Sequence, residues 1–244
     1  MDLKNIENKE CLIKSIEKLV GDYKSLLCAY ADKEETYKRA ALLYYWLRDY
    51  RNYISNEKTF SSKYLPCYRR GNIINVNFGF NLGSELGGLH YAVVLADSAQ
   101  SNPTVVVAPM TSYKAGRKIR KDELFIDDRL FLQLKSKQDA LMQSEKSMLK
   151  SLRNFPECNN AMKDQIKAIM KNIVQLEHIK HKISTLKHGS IIKMSQIRTI
   201  SKMRIVDPTK PTDVFYNISL PSKDLNSVDE RLVSLYTNPS KKQF

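Results

Sequence analysis

Long apolar runs are missing from this chain. No uninterrupted stretch approaches the roughly 20 residues that a membrane span requires, although 42% of the 244 residues are hydrophobic, enough for a packed interior. The opening residues, MDLKNIENKE, carry no apolar core after a basic start, so no secretory leader is expected. Cysteine is scarce and scattered. Cys11, Cys28, Cys67 and Cys158 form no close pair and no metal-ligand spacing, which argues against a structural zinc site and for reduced thiols in a cytoplasmic protein. Neither a metal nor a cofactor is expected, and the chain shows no internal repeat or low-complexity segment.

Acid is also short. Forty Lys and Arg stand against 26 Asp and Glu, a formal net charge of +14. Such an excess suits a polyanionic partner, because each basic group that neutralises a phosphate releases counterions. It also suits a lysine-rich soluble protein with no such partner. The run Lys114, Arg117, Lys118, Arg120, Lys121 contains no acid and follows a hydroxyl-bearing strand end, which reads as an RNA contact.

Periodicity divides the chain. Residues 3–55 predict two helices. The first carries Ile6, Ile13, Ile16, Leu19, Val20, Tyr23, Leu26, Leu27 and Tyr30 at helical spacing. The second opens on an Asp32–Glu35 capping box and carries Tyr37, Ala40, Ala41, Tyr44, Leu47 and Ile54 inward. Residues 56–69 read as a polar linker. Short β runs follow at Ile73–Phe78, Tyr91–Ala96, Thr104–Met110 and Glu123–Asp127. Leu134, Leu141, Met148 and Phe155, seven apart, then predict a helix. After the turn Asn154-Phe155-Pro156, Ile166, Ile169, Ile173, Leu176 and Ile183 predict its antiparallel partner. Strand character resumes at Gly189, so the helical pair interrupts the β region. Val214–Leu220 reads as a last strand, and Pro221-Ser222 opens a helix carrying Leu225, Val228, Leu232 and Leu235.

Candidate chemistry gathers between Arg70 and Lys114. A Gly-rich turn runs Gly79-Phe80-Asn81-Leu82-Gly83-Ser84-Glu85-Leu86-Gly87-Gly88; it lacks the lysine of a phosphate-binding P-loop. His90 stands at the mouth of the next strand and titrates in the range where it can give or take a proton, though a lone histidine is more often structural. Thr111 and Ser112 end the third strand, where hydroxyls can be held rigidly for a phosphate or can merely cap a turn. Arg198 and Arg204, with Gln196 and Thr199, form a second polar edge, suited to phosphate or to an internal ion pair.

Taken in order, these segments resemble the MazF/PemK family of toxin endoribonucleases. The resemblance rests on Gly83–Gly88, His90–Leu95, Val105–Ser112 and the Gln196–Ile200 segment, and covers about 71–127 and 189–237. It implies an α+β fold: an SH3-like (MazF/CcdB-like) β barrel with a C-terminal helix. Around it lie an N-terminal helical extension and linker (1–68) and an inserted helical hairpin (128–187), so that 69–127 and 188–244 form the barrel. It implies metal-independent cleavage of single-stranded RNA to 2′,3′-cyclic phosphate and 5′-hydroxyl ends, a homodimer, and a cognate antitoxin, protein rather than RNA. His90 takes the position of the family's basic residue, where the best-known members place Arg followed by Pro. Thr111 takes the strand-end hydroxyl, and Arg198 falls in the Ile-Arg-Thr-Ile segment. His90, Thr111, Ser112 and Arg198 are thus the catalytic candidates. Asn81, Ser84, Glu85, Lys114, Arg117, Lys118 and Gln196 are the candidates for holding RNA. Rival expectations are a barrel toxin that inhibits DNA gyrase through its C-terminal helix, a phage-defence ribonuclease controlled by an RNA antitoxin, and a basic RNA-binding module without catalysis.

Overall fold

The structure, a computed structural model, describes residues 2–154, 160–184, 186 and 188–237. By contacts the chain divides into two units, one of residues up to 60 with 79–84, the other of 61–78 with everything from 85 onward.

The first unit is a helical hairpin of α1 (Lys9–Ala31) and α2 (Glu34–Asn56). The capping box does not form. Asp32 keeps helical dihedrals and closes α1, its N–H bonding the Cys28 carbonyl, so the extended Lys33 takes the N-cap position without a side-chain cap. Thr36 instead donates its hydroxyl to the Tyr30 carbonyl, 2.7 Å, across the turn. The predicted inward face of α2 is largely open, since Ala40 is buried while Tyr37, Tyr44 and Ile54 are exposed. Trp46 packs on the glycine turn. Gly79 has φ +81°, and a Cβ there would meet the indole at 2.8 Å, so both backbone and space call for glycine.

The second unit is built on an antiparallel seven-stranded sheet in the order β4-β5-β3-β2-β1-β7, with β6 also on β3. The strands are β1 (Ile73–Asn77), β2 (Leu89–Val94), β3 (Thr104–Ser112), β4 (Glu123–Ile126), β5 (Ser190–Lys193), β6 (Arg198–Ser201) and β7 (Ile205–Asp207). The strand character that resumes at Gly189 is divided among three short strands, β5, β6 and β7. Single 3-10 turns at Met194–Gln196 and Lys202–Arg204 interrupt it. One edge of the long β3 therefore takes β6 at Thr104–Val107 and β5 at Met110–Ser112. Val214–Leu220 is not a strand: Asp213–Tyr216 and Phe215–Ile218 close tight turns, and Asn217 has φ +59°. Its apolar residues are buried nonetheless, which explains the strand-like pattern. Nor is 56–69 a bare linker, since Ser62 donates to the Gln100 carbonyl and buried Tyr68 bridges to Ser98.

Two buried clusters lie on opposite faces of the sheet. The larger joins Ile73, Val93, Ala108 and Met110 to Leu134, Leu176 and Ile183 of α3 (Arg129–Arg153) and α4 (Asn160–Ser184) and to Val228 of α5 (Ser222–Tyr236). The smaller joins Ile74, Val76, Phe78, Ala92, Val94, Val105, Val107 and Ile200. In the α3–α4 pair, buried Gln138 donates to the Leu176 carbonyl and Asn172 to Glu145, polar contacts that favour one register of the two helices. Met148, expected in the seam, is exposed. The rest of the predicted turn after Asn154, including Phe155 and Pro156, lies outside the described residues, as does Cys158.

Candidate active site on one face of the sheet

Strand alternation decides which candidates can meet, because successive side chains point to opposite faces. In β2, Ala92 and Val94 belong to the smaller cluster, so His90 opens on that face. In β3, Val105 and Val107 do the same, and Thr111 follows in phase. In β6, Ile200 does, and with it Arg198, which sits opposite Val107. The β2–β3 ladder pairs Ala92 with Pro109. Carried two residues further, it sets His90 opposite Thr111. The Met110 carbonyl indeed lies within hydrogen-bonding reach of the His90 ring, as does that of Gly87. His90, Thr111 and Arg198 therefore share one face, and Ser112 does not. Ser112 points to the other side, opposite Ser190.

The electrostatics of this face suit a proton acceptor. Burial lowers the His90 pKa below its ordinary 6.5, against the pull of the Met110 and Gly87 carbonyls, which favour the protonated ring. The imidazole is consequently mostly neutral at pH 7. The Thr111 hydroxyl is buried and has no hydrogen-bond partner in the fold. Such a group costs about 1–3 kcal/mol, and a ligand oxygen placed against it would satisfy it. Arg198 stacks its guanidinium on Phe78, 5.2 Å from the ring centre, which holds the charge over the rim of the smaller cluster.

The glycine turn is held from outside. Phe78 N–H bonds the Gly88 carbonyl at 2.8 Å and closes its base. Leu86 N–H donates to the Gln196 side-chain oxygen at 2.7 Å. Gln196, a sequence candidate for RNA contact, thus positions the turn from the 3-10 break between β5 and β6. Arg204 donates to the Asn77 carbonyl at 2.9 Å and steadies the end of β1. Glu85 is exposed. Asn81 is half-buried and Ser84 exposed; both belong to the unit of the N-terminal hairpin, where Arg39 lies over Phe80 at 5.3 Å.

The basic loop is organised by an acid that sequence reading passed over. Glu123, fully buried, accepts from Lys193, from Arg117 and from the Arg120 N–H. Burial raises its pKa, but those donors, Lys193 foremost, outweigh this and bring it to about 2. Arg117 is therefore committed to the fold, while Lys114, Lys118, Arg120 and Lys121 stay exposed. Arg231 of α5 pins the loop by donating to the Lys121 carbonyl. The signal for Glu123 was available: it is among the first acids after the acid-free run. Among the described residues no set of three His, Cys, Asp or Glu is placed to hold a metal, and no helix is long and apolar enough to cross a membrane.

A family model described as PemK-like, MazF-like toxin of type II toxin-antitoxin system matches residues 69–176, from the approach to β1 to the middle of α4. No curated protein matches the chain.

Proposed function

From the premise that residues 69–176 carry a PemK-like, MazF-like toxin domain, we propose that this protein poisons its cell by cutting single-stranded RNA in the cytoplasm. The observation that carries the reading is the buried, unpartnered Thr111 hydroxyl on the same sheet face as a neutral His90 and the guanidinium of Arg198. Cleavage by a neighbouring 2′-hydroxyl requires a base, donors to the developing phosphorane charge, and an acid for the departing 5′-oxygen.

His90 takes the proton of the 2′-hydroxyl as that oxygen attacks the adjacent phosphorus. Thr111 donates to a non-bridging oxygen, and Arg198 with Lys114 offsets the added negative charge. The P–O5′ bond then breaks, and the imidazolium returns its proton to the leaving oxygen. The products carry a 2′,3′-cyclic phosphate and a 5′-hydroxyl, with no net proton consumed. Lys118, with Arg120 and Lys121, extends the positive track for the RNA backbone, and Glu85 at the end of the glycine turn is a further contact. A protein antitoxin is the partner that a type II toxin implies.

The test is cleavage of a long unstructured RNA by purified protein in excess EDTA, with His90→Ala alongside. Fragments with 5′-hydroxyl ends that vanish in the variant support the assignment. Equal cleavage by both proteins removes His90 from it, and intact but bound RNA turns the protein into a binding module.

A further inference from the structure

Residues 1–60 hold 11 Lys and Arg against 10 Asp and Glu, +1, whereas residues 61–244 hold 29 against 16, +13. Part of that surplus lies on the opposite side of the sheet from His90. The α3–α4 pair packs on the larger cluster, while His90 opens on the face of the smaller one. Only the base of the pair is held in this way. Between Met142 of α3 and Leu176 of α4, no described residue belongs to the larger cluster, and Ile169 is the one hydrophobic side chain buried there.

This outer end is basic. Residues 146–171 hold six Lys and Arg against two Asp and Glu, +4. Lys163, Lys167 and Lys171 follow one another at single-turn intervals on α4, and Lys146, Lys150 and Arg153 do the same on α3. All six are exposed. The bonds from Gln138 to Leu176 and from Asn172 to Glu145 show that the helices run antiparallel. That register sets Lys146 near the level of Lys171, Lys150 near Lys167, and Arg153 near Lys163.

Such an arrangement works against the hairpin taken alone. An acid one turn from a lysine supports an exposed helix, whereas like charges at that spacing repel. Among the described residues none of the six forms an ion pair, although Asp164 stands three places from Lys167. Arg48, Arg70 and Arg129 elsewhere in the chain are each paired with an aspartate. A polyanion with evenly spaced charges would relieve the repulsion. The three α4 lysines cover about 12 Å at intervals of about 6 Å, close to the interval between phosphates along an extended nucleic-acid strand. The exposed large apolar side chains of this end are Met148 and Met170, not the Trp, Phe or Leu by which helices settle into a bilayer.

We propose that the outer end of the α3–α4 hairpin is a second RNA-binding surface, which holds the phosphate backbone of a single strand outside the segment presented to His90. RNA as the polyanion rests on the proposed function, but the surface holds its ligand whether or not cleavage occurs.

The test is binding of a fluorescent 2′-O-methyl RNA about 30 nucleotides long, followed by anisotropy over a series of salt concentrations. This probe keeps the backbone and has no 2′-hydroxyl to attack the phosphate. The full chain is compared with Lys163→Gln/Lys167→Gln/Lys171→Gln and with a Lys14→Gln/Lys18→Gln/Lys24→Gln control that removes the same charge from α1. In the α4 variant the slope of log affinity against log salt should fall by about 2, for three contacts at about 0.7 each, and binding at physiological salt should weaken about tenfold or more. The control should keep the wild-type slope. Glutamine forms helix about as well as lysine, so circular dichroism should not change. With cleavable RNA the α4 variant should show a raised KM and an unchanged kcat. An unaltered slope in the α4 variant overturns the proposal and leaves the His90 reading intact. Equal losses in the two triple variants overturn it as well, because net charge and not this surface would then be responsible. So does lysine-dependent binding to phosphatidylserine vesicles with the RNA slope unmoved, which gives the surface to a membrane. Lysine-dependent RNA binding by a wild-type protein that cuts nothing supports the proposal and defeats the His90 reading alone.

Discussion

The sheet and the N-terminal hairpin hold comparable hydrophobic residues and treat them in opposite ways. Strands β1 to β3 bury nearly every apolar side chain in one of two clusters, and the polar groups they keep inside are few and specific. The hairpin has the seam of a packed helix pair and buries a single alanine. Charge divides along the same line, +13 against +1. A region that closes its own core can place a neutral histidine and an orphaned hydroxyl where it needs them, because the surrounding packing bears the cost. A region without a core of its own offers only a surface.

Four expectations put that contrast at risk. The largest effect is expected from His90→Ala, with RNA cleavage lower by about 10²–10⁴-fold, the usual worth of a positioned acid–base group, and an unchanged melting curve. Its pH profile carries a sign. Since the His90 pKa lies below 6.5 and the base must be neutral, cleavage should hold level above pH 6.5 and fall only on the acid side. A decline that begins well above pH 6.5 contradicts the assigned role.

Next is Glu123→Ala, which strands Lys193 and Arg117 beside a dry site. A loss of about 3 kcal/mol in urea unfolding is expected, against almost none for Glu10→Ala on the exposed α1. The wild-type contribution should persist above the ordinary carboxylate pKa of 4.5 and disappear as pH falls toward about 2, the folded value. Acid unfolding that begins near neutrality argues that another group dominates.

Thr111→Val separates function from stability. Cleavage should drop about 10²-fold, as for loss of one donor to a developing oxyanion. Stability should stay level or rise by up to about 1 kcal/mol, because an unpaired buried hydroxyl is removed. A variant that is both active and less stable would make Thr111 an ordinary structural threonine.

The smallest effects concern RNA binding. Lys118→Ala and Lys121→Ala should each lower the slope of log affinity against log salt by about one. Lys14→Ala and Lys18→Ala on the hairpin should leave it alone. Equal slopes for the two pairs would erase the electrostatic distinction between the regions.

Much of this was legible in the sequence. Helical spacing located α1, a seven-residue spacing α3 and gaps of three and four α4, while short runs rich in Val and Ile located β1 to β3, with strand ends displaced by one or two residues. Gly79 was flagged by composition, but its reason, the indole of Trp46 against its α-carbon, is a contact between distant positions. Val214–Leu220 misled because burial of Val214, Phe215 and Ile218 in consecutive turns produces the same letters as a strand. Arg117, Gln196 and Ser112 were chosen by type and neighbourhood. Only pairing across the fold revealed an arginine held by Glu123, a glutamine holding the glycine turn, and a serine on the far side of its strand.

By itself the sequence determined the four long helices, the strands β1 to β3, the basic surplus and the motif by which the chain resembles the MazF/PemK toxins, since each is a property of local spacing and composition. Tertiary structure decided which of the candidate groups share a face, which cations are already committed to an acid, and that the hydroxyl of Thr111 has no partner. Those are matters of register and burial, set by residues up to about a hundred positions apart in the chain, and no local pattern encodes them.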